Sequence, residues 1–436
     1  MITYLEKINL TLTTYCKAWQ FIKRQNHPDQ IKAVQNEKLQ KLMKYCYENI
    51  KYYHELFKDN RIKPDDIKTA TDLVKIPLLT KEQLRKRFWD FLPKELPPCR
   101  VSRTSGSTGI PVCILSDISS RINNSAAVIR YRRQLGINLF GRPILSLLKN
   151  EQEPPRPPHW TSLQGIHKTF YLNPYNRKAS DIEYAIDTIN RLNRPALIGI
   201  TPAIRALAYR IRDNIFPPLK PCAILTTGEY LSSQVKGLLE DTFKTKVTDI
   251  YACNEAGDIA WQCIKGQFYH INADNCIVEI LKNGKPAEKD QTGEVVITNL
   301  NRYSMPFIRY KNGDLASFSG KECSCGCCLP VISEIIGRTG EDIMLPSGRI
   351  IPWNQLKGFM NHPDIRQFQI IQNKDGSLTV KFIAEEKNNI EDTKTLLASR
   401  FKGLLGDCVN IGFSIVERIE PAPSGKSRLV ICEYHP

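Results

Sequence analysis

Apolar residues recur at three- and four-residue steps in the first part of the chain. The clearest run is Leu39, Leu42, Met43, Cys46 and Ile50. Lys, Gln and Glu occupy most positions between them, so the apolar side chains share one face of an α-helix. The pattern predicts a helical start over residues 1–95, with the apolar stripe packed into a core.

From about residue 100, short β-branched runs alternate with helical stretches. The runs are ILSLL at 144–148, PALIGI at 195–200, CAILTT at 222–227 and KVTDIYA at 246–252. Such alternation is typical of an α/β fold. The pattern then changes to CIVEILKNGK and GEVVITNL, which predict antiparallel strands in a β-rich subdomain at about residues 260–335.

The last hundred residues differ again. In RQFQIIQNKDGSLTVKFIAE, the turn pair Asp375-Gly376 separates two alternating runs and predicts a β-hairpin. Apolar residues between Ile390 and Gly406 fall largely on one side, which predicts a helix ending at the glycine. We therefore expect a large N-terminal domain, residues 1–336, and a small α+β domain, residues 337–436.

The net charge of the chain bears on what kind of partner it binds. The chain has 436 residues, with 61 Lys and Arg against 45 Asp and Glu, and a formal net charge of +16. Its length and composition indicate two or three globular domains and exclude disorder, collagen and a coiled coil. The charge favours an anionic partner, although a solvated basic surface is the commoner explanation. The stretch Arg130-Tyr131-Arg132-Arg133 predicts such a solvated helix face, with contact to a CoA phosphate as the alternative.

The N-terminal sequence and the number of cysteines indicate in which cellular compartment the protein is expected. Glu6 and Lys7 interrupt the apolar core that a signal peptide requires. No apolar run reaches the roughly 18 residues of a transmembrane helix, so none is expected. The 14 cysteines are too sparse for a disulfide-stapled secreted domain. We expect a cytoplasmic, reducing compartment with free or metal-bound thiols.

Residues 103–111 read RTSGSTGIP and are rich in hydroxyl groups and glycine. Glycines allow backbone N–H groups to face an anion, and Ser and Thr add further donors, so the loop suits phosphate. From composition alone, a flexible surface turn is the alternative.

Three further segments place a candidate group on a turn. PSGKS presents Lys426, but Glu420 stands where a P-loop NTPase requires glycine. IYACNEAG presents Glu255, whose carboxylate can hold Mg²⁺ against a phosphate. PFIRYKNGD presents Asp314, which can accept hydrogen bonds from ribose hydroxyls. Taken singly, each is more often an ordinary surface side chain.

Six segments of the chain, in their order and spacing, resemble motifs of the acyl-adenylate-forming superfamily. The segments are RTSGSTGIP, TTGEYLS, YACNEAG, TGEVVITNLNRYSMPFIRYKNGD, IIGRTGED and PSGKSR. Within this superfamily the chain is most similar to the phenylacetate-CoA ligase family, in particular its branch associated with capsular polysaccharides. The resemblance covers nearly the whole chain and implies a large adenylate-forming domain with a small mobile C-terminal lid.

The resemblance also implies roles for individual residues. The ATP phosphates would be bound by Thr104, Ser105, Gly106, Ser107, Thr108 and Gly109. The rest of the nucleotide site would comprise Gly228, Glu229, Tyr251, Asn254, Asp314 at the ribose, and Arg338 at the domain boundary. Glu255 would hold Mg²⁺, and Lys426 would contact the carboxylate and the α-phosphate. Lys426, Glu255 and Thr108 would be catalytic, and the hinge would be Glu341 or Asp342.

The chain departs from the family pattern at three places, one of which is GRTGED in place of the commoner Gly-Arg-x-Asp-Asp form at the hinge. The family's Tyr-Gly-x-(Thr/Ser)-Glu has Ala252 in place of glycine and Asn254 in place of the hydroxyl residue. The added methyl group narrows the acyl pocket and disfavours an aryl acid such as phenylacetate. Ile110 stands where many members carry Lys, which removes one phosphate contact.

Cys263, His270, Cys323 and Cys325 have the ligand types and paired spacing of a tetrahedral zinc site. The resemblance agrees, because members of the family hold Zn²⁺ with a Cys, a His and a Cys-x-Cys pair. Unrelated buried thiols are the alternative, with Cys253, Cys327 and Cys328 as substitute ligands. Four protein ligands leave no site for water, so the zinc would be structural.

We expect an AMP-forming ligase that uses ATP and Mg²⁺ to turn a small carboxylic acid into an acyl-AMP, releases pyrophosphate, and transfers the acyl group to CoA. The alternative acceptor is an amine or hydroxyl, for example of a sugar in polysaccharide biosynthesis. The alternative from another class is a zinc-containing protein that binds nucleic acid or another anion without catalysis. No nucleic acid partner is expected for the ligase, and a homodimer is one option for its assembly.

Overall fold

The computed structural model describes most of the chain. The described residues are 4–103, 112–137, 143–147, 159–161, 167–171, 187–192, 194–213, 220–265, 268–338, 343–345, 350–351, 356, 360, 362, 364–384, 390–406, 409–420 and 429–434. They form two compact units. The first comprises Met1–Leu231, Leu238–Asn312 and Ala316–Ile335, and the second Ser232–Gly237, Gly313–Leu315 and Ile336–Pro436. The predicted domain boundary between residues 336 and 337 stays a prediction.

The helices of the described residues concentrate at the N-terminus and around the sheet. The α-helices are α1, Tyr4–Arg24; α2, Pro28–Asn49; α3, Lys51–Asp59; α4, Lys81–Lys86; α5, Ile118–Gln134; α6, Thr201–Asp213; α7, Ser233–Phe243; and α8, Ile390–Leu405. Short 3₁₀ helices span Pro64–Asp66, Ala70–Lys75 and Phe88–Phe91. None of the helices described is long and apolar enough to cross a bilayer.

The apolar stripe predicted in the N-terminal region lies on α2 and at its C-terminal end. Its five side chains are at most 1% exposed and pack into one core with Phe57, Leu73 and Phe307. Pro28 begins the helix, where its missing N–H is not needed. This core therefore packs the N-terminal helices against the segment around Phe307.

The strands alternate with the helices and then run consecutively. They are β1, Cys99–Arg103; β2, Cys113–Asp117; β3, Ile144–Leu147; β4, His159–Thr161; β5, His167–Tyr171; β6, Ala196–Ile200; β7, Ala223–Thr227; β8, Val247–Cys253; β9, Gly257–Gln262; β10, Tyr269–Ile271; β11, Cys276–Lys282; β12, Lys285–Pro286; β13, Gly293–Asn299; β14, Tyr310–Phe318; β15, Val331–Arg338; β16, Ile343–Met344; β17, Ile350–Ile351; β18, Ile365–Gln372; β19, Leu378–Ala384; β20, Ile411–Ile415; and β21, Val430–Cys432.

In the described part of the chain, one mixed sheet of 13 strands lies mostly in the first unit, in the order β12-β11-β13-β14-β15-β10-β9-β8-β7-β6-β3-β5-β4. Strands β8, β7, β6, β3 and β5 are parallel neighbours, whereas β8–β9, β9–β10 and β11–β13 are antiparallel pairs. The strands predicted as a β-rich subdomain therefore extend the sheet that the parallel strands begin.

The basic stretch of α5 is not a solvated face throughout: that prediction was wrong for Arg130 and Arg132, whereas Arg133 is exposed. Arg130 is 1% exposed and Arg132 is 8% exposed. The Nη1 of Arg130 donates to Asp274 Oδ2 at 2.6 Å, and its guanidinium lies 5.0 Å from the ring of Trp261. A buried carboxylate and an aromatic face compensate the charge that sequence periodicity alone assigns to solvent.

The second unit contains the predicted hairpin and helix. Strands β18 and β19 pair antiparallel, and β20 and β21 pair parallel to them at the two edges. At the turn, Gly376 has φ +82°, and Asp375 Oδ1 accepts the N–H of Ser377 at 3.0 Å. Helix α8 buries Leu397, Phe401 and Leu405 against these strands and is followed by Gly406 with φ +79°.

Candidate active site and metal centre

The predicted pocket residues of the first unit lie at the carboxyl ends of β6, β7 and β8. These strands are parallel, with Ile200 opposite Thr227 and Thr227 opposite Ile250. Gly228 and Glu229 follow β7 directly, Tyr251 lies near the end of β8, and Asn254 and Glu255 follow that strand. Ligands of open α/β sheets bind outside this edge, so the structure brings these predicted residues together where a site is expected.

The backbone after β7 requires glycine. Gly228 has φ +83°, and a Cβ added there would approach Ile200 Cγ2 to 3.3 Å. Thr201 Oγ1, at the start of α6, donates to the carbonyl of Glu229 at 3.3 Å. These contacts fix the Gly228-Glu229 turn against the end of β6.

Glu255 is a buried carboxylate, 9% exposed, in the turn between β8 and β9. Its Oε1 accepts the hydroxyl of Tyr310, at the start of β14, at 3.0 Å. Among the described residues it forms no ion pair, although its charge acts on the buried guanidinium of Arg302 from a distance. A buried carboxylate left in this state has the chemistry of a ligand for a hard cation such as Mg²⁺.

Two further contacts hold the turn that carries Glu255. Arg302 Nη1 donates to the carbonyl of Asn254 at 2.9 Å. Asn312 Nδ2 donates to Tyr251 Oη at 2.7 Å. Burial lowers the pKa of Arg302, and nearby acidic groups, Cys253 and Glu255 among them, oppose this shift. Sequence reasoning missed Tyr310 and Arg302, and their place in the segment preceding Asp314 was the available signal.

The structure describes only some of the other predicted site residues. Asp314 lies on β14 and is 8% exposed, and Arg338 is the last residue of β15. Strands β1 and β2 pair antiparallel, with Arg103 opposite Cys113, so they flank the predicted phosphate loop. The loop residues Thr104, Ser105, Gly106, Ser107, Thr108 and Gly109 lie outside the described residues, as do Lys426, Glu341 and Asp342.

The structure brings the four predicted metal ligands together. One ligand atom from each of Cys263, His270, Cys323 and Cys325 lies within 4.8 Å of all the others. The Sγ of Cys325 is 3.2 Å from His270 Nε2. Tetrahedral zinc sites with sulfur and nitrogen ligands at about 2.0–2.3 Å require this degree of convergence, so the donor set fits Zn²⁺.

Neighbouring backbone groups support the cluster. The hairpin of β9 and β10 places Cys263 near His270, and the N–H of Cys263 donates to the carbonyl of Phe268 at 2.8 Å. After Gly326, with φ +83°, the N–H of Cys327 donates to Cys325 Sγ at 3.4 Å. Such an N–H bond to sulfur stabilises a metal-bound thiolate.

Local electrostatics suit a metal ligand at His270. Burial lowers the pKa of His270 to about 4. The ring is therefore neutral near pH 7 and retains a lone pair for coordination. Without a cation, burial and the neighbouring thiols raise the pKa of Cys323 to about 12. A metal ion would remove this penalty because the thiolate is the form that binds.

Relatives of this chain are found among named proteins. Residues 343–433 match the family model described as the CapK C-terminal domain. The chain is 23% identical to Protein CapK of Staphylococcus aureus over 432 residues, covering 94% of this chain and 91% of that protein. It is also 23% identical to the phenylacetate-coenzyme A ligase of Thermus thermophilus, covering 80% of each.

Solved structures show the same architecture. A 2-hydroxyisobutyryl-CoA ligase in the postadenylation state, in complex with R3-HIB-AMP, gives a TM-score of 0.75 at 19% identity, covering 93% of this chain and 90% of that chain. ATP-bound MatB of Rhodopseudomonas palustris gives 0.55 at 14% identity, covering 75% and 66%. The predicted fold class and the predicted resemblance are thereby confirmed: the chain has the adenylate-forming ligase fold, with a C-terminal match to CapK, and resembles CapK and the phenylacetate-CoA ligases.

Proposed function

We propose that this protein is an AMP-forming ligase that activates a small carboxylic acid as an acyl-AMP. The observation that supports it most directly is Glu255, a buried carboxylate that forms no ion pair in the described structure, at the carboxyl edge of the parallel strands. An adenylating site needs such a group, because the substrate ATP arrives with a divalent cation on its phosphates.

In the proposed reaction, the carboxylate of the acid attacks the α-phosphorus of ATP and pyrophosphate leaves. Negative charge grows on the phosphate oxygens, so groups placed in advance to stabilise it are the main catalytic need. Glu255 would hold Mg²⁺, which neutralises phosphate charge when bound. Thr104, Ser105, Ser107 and Thr108 would donate to the phosphates, Asp314 would bind the ribose, and Lys426 would contact the α-phosphate. No protein nucleophile is required.

For the second half-reaction we propose attack on the acyl-AMP by the thiol of CoA. The named CoA ligases among the relatives and structural neighbours support this acceptor. An amine or hydroxyl acceptor, for example of a sugar, is the second candidate. Its support is the similarity to Protein CapK over 94% of the chain and the CapK C-terminal match.

Isotope exchange between ATP and pyrophosphate tests the first half-reaction without knowledge of the acceptor. The panel should contain phenylacetate and 2-hydroxyisobutyrate, named in a relative and in a structural neighbour, together with hydroxy, amino and sugar acids. We expect exchange with at least one acid, and a loss of roughly 100-fold or more in Glu255→Gln, because several kcal/mol of charge stabilisation depend on the cation.

Glu288→Gln is the matched control, since Glu288 is an exposed acid on the same unit, and its exchange should equal that of the wild type. Absence of exchange with every acid, together with salt-sensitive binding of nucleic acid, would instead support the zinc-containing anion-binding alternative. Thioester formation with CoA, compared with amide or ester formation on amino sugars, then identifies the acceptor.

We also propose a structural zinc ion on Cys263, His270, Cys323 and Cys325. With four protein ligands, this ion takes no part in the chemistry. Metal analysis of the purified protein should give about one zinc per chain, and Cys325→Ser should lose most of the zinc and lower the melting temperature. Cys328→Ser, at a neighbouring exposed thiol, should keep both. Equal zinc content in the two variants would contradict the assignment.

A further inference from the structure

Arg302 is a buried cation beside the turn that carries Glu255. The residue is 6% exposed. Its Nη1 donates to Asn254 O at 2.9 Å, and its guanidinium carbon lies 5.7 Å from the ring of Phe307. The guanidinium therefore contacts the turn on one side and an aromatic ring on another.

The carboxylates nearest to Arg302 do not form ion pairs with its guanidinium. Asp117 uses its carboxylate to accept the N–H groups of Ser120, Tyr303 and Ser304, and Glu255 accepts from Tyr310. Within the described structure Arg302 forms no ion pair, and its buried Nε makes no hydrogen bond. Nearby acidic groups therefore offset the guanidinium charge only from a distance, and an anion in direct contact would stabilise it further.

Support of the turn alone does not explain the choice of arginine. The hydrogen bond to the Asn254 carbonyl needs only one neutral N–H donor, which a glutamine side chain would also supply. The positive charge and the second donor at Nε remain unused by that contact. Both are what recognition of a phosphate requires, because the planar fork of arginine fits phosphate oxygens.

We infer that Arg302 is a phosphate-binding residue of the adenylation site, which holds the Asn254-Glu255 turn through Nη1 and binds an anionic oxygen of ATP with the rest of its guanidinium. The inference rests on the proposed function. Phosphate is favoured over the carboxylate of the acid because Arg302 holds the same turn as Glu255, the proposed ligand of the phosphate-bound cation.

The experiment compares Arg302→Gln, Arg302→Lys and the control Arg309→Lys. Arg309 is a buried arginine of the same segment, but its Nε and Nη2 donate to Glu279 at 3.1 and 2.8 Å. Exchange kinetics give the KM for ATP and for the acid, calorimetry gives ATP binding without any acid, and thermal melting gives stability.

We expect Arg302→Gln to raise the KM for ATP and its dissociation constant by roughly 10- to 100-fold, with little change in the KM for the acid. Arg302→Lys keeps the charge but loses the fork, so its increase should be smaller. Arg309→Lys should lower the melting temperature and leave ATP binding unchanged.

A folded Arg302→Gln with wild-type ATP binding would overturn the inference, as would an increase confined to the KM for the acid or an equal ATP effect in Arg309→Lys. If Arg302→Gln does not fold, ATP binding by Arg302→Lys decides, and unchanged affinity refutes the role. A wild type without exchange on any acid refutes the proposed function, whereas the calorimetric comparison still tests Arg302.

Discussion

Glu255 is held in place by a neutral partner. The hydroxyl of Tyr310 fixes Oε1 at 3.0 Å without cancelling its charge. Glu279 shows the contrast, because Arg309 binds both of its oxygens and forms a complete ion pair. A carboxylate that must hold a cation benefits from the first arrangement, since an arginine partner would compete with the metal for the same oxygens.

The residue-scale prediction concerns Tyr310→Phe. Loss of the hydroxyl frees Glu255 to rotate, so we expect roughly tenfold slower ATP–pyrophosphate exchange and a higher Mg²⁺ requirement. A magnesium titration of the exchange rate measures both. Tyr53→Phe is the matched control, because Tyr53 hydrogen-bonds Pro306 and Ile308 of the neighbouring segment but does not contact Glu255. Equal magnesium curves for wild type and Tyr310→Phe would refute the role.

The sequence alone could predict the candidate site residues that belong to recognisable motifs. It could not predict the residues that contact those motifs only in the folded structure. Glu255 and the four metal ligands have recognisable residue types at recognisable spacings. Tyr310 and Arg302 contact the Glu255 turn from about 50 residues away, and nothing in residue type or periodicity records that contact. The burial of Arg130 could not be predicted for the same reason, because its hydrogen-bond partner Asp274 is distant in sequence.

At the scale of elements, the sequence was most informative where local and tertiary requirements agree. The predicted runs became β3, β6, β7 and β8, because β-branched residues suit strands that are buried in the sheet. The turn at Asp375-Gly376 followed from its own chemistry. Strand order could not be predicted, because the pairing of β10 with β15 joins residues about 60 positions apart.

The turn between β8 and β9 gives the element-scale prediction. Gly257 has φ +76°, and an added Cβ would lie 2.4 Å from Asn124 Oδ1, which accepts the N–H of Asp258. Gly257→Ala should lower the free energy of unfolding by about 1–3 kcal/mol in a urea titration. Gly284→Ala has the same φ of +76° with no atom within 4 Å, so it isolates the backbone strain. A loss in Gly257→Ala no larger than in Gly284→Ala would show that Asn124 adjusts freely.

At the scale of the whole molecule, the sequence indicated a large and a small domain, and the chain forms two compact units. The parallel strands and the later antiparallel strands belong to one sheet, which lies mostly in the first unit. Periodicity distinguishes the two kinds of strand but says nothing about whether they share a sheet, because that depends on edge pairing between β8 and β9. The proposed reaction also draws on both predicted domains, since Glu255 belongs to residues 1–336 and Lys426 to residues 337–436.

This division gives the whole-molecule prediction. Lys426 is proposed to stabilise charge only while the α-phosphate is under attack, so Lys426→Ala should reduce ATP–pyrophosphate exchange by roughly 100-fold or more. Its consumption of a chemically prepared acyl-AMP with CoA, or with the amine or hydroxyl acceptor, should remain near the wild-type rate. Lys374→Ala removes an exposed lysine from the same predicted domain and should change neither rate. Equal losses in both half-reactions would mean that Lys426 supports the fold or both chemical steps, and its assignment to adenylation alone would be wrong.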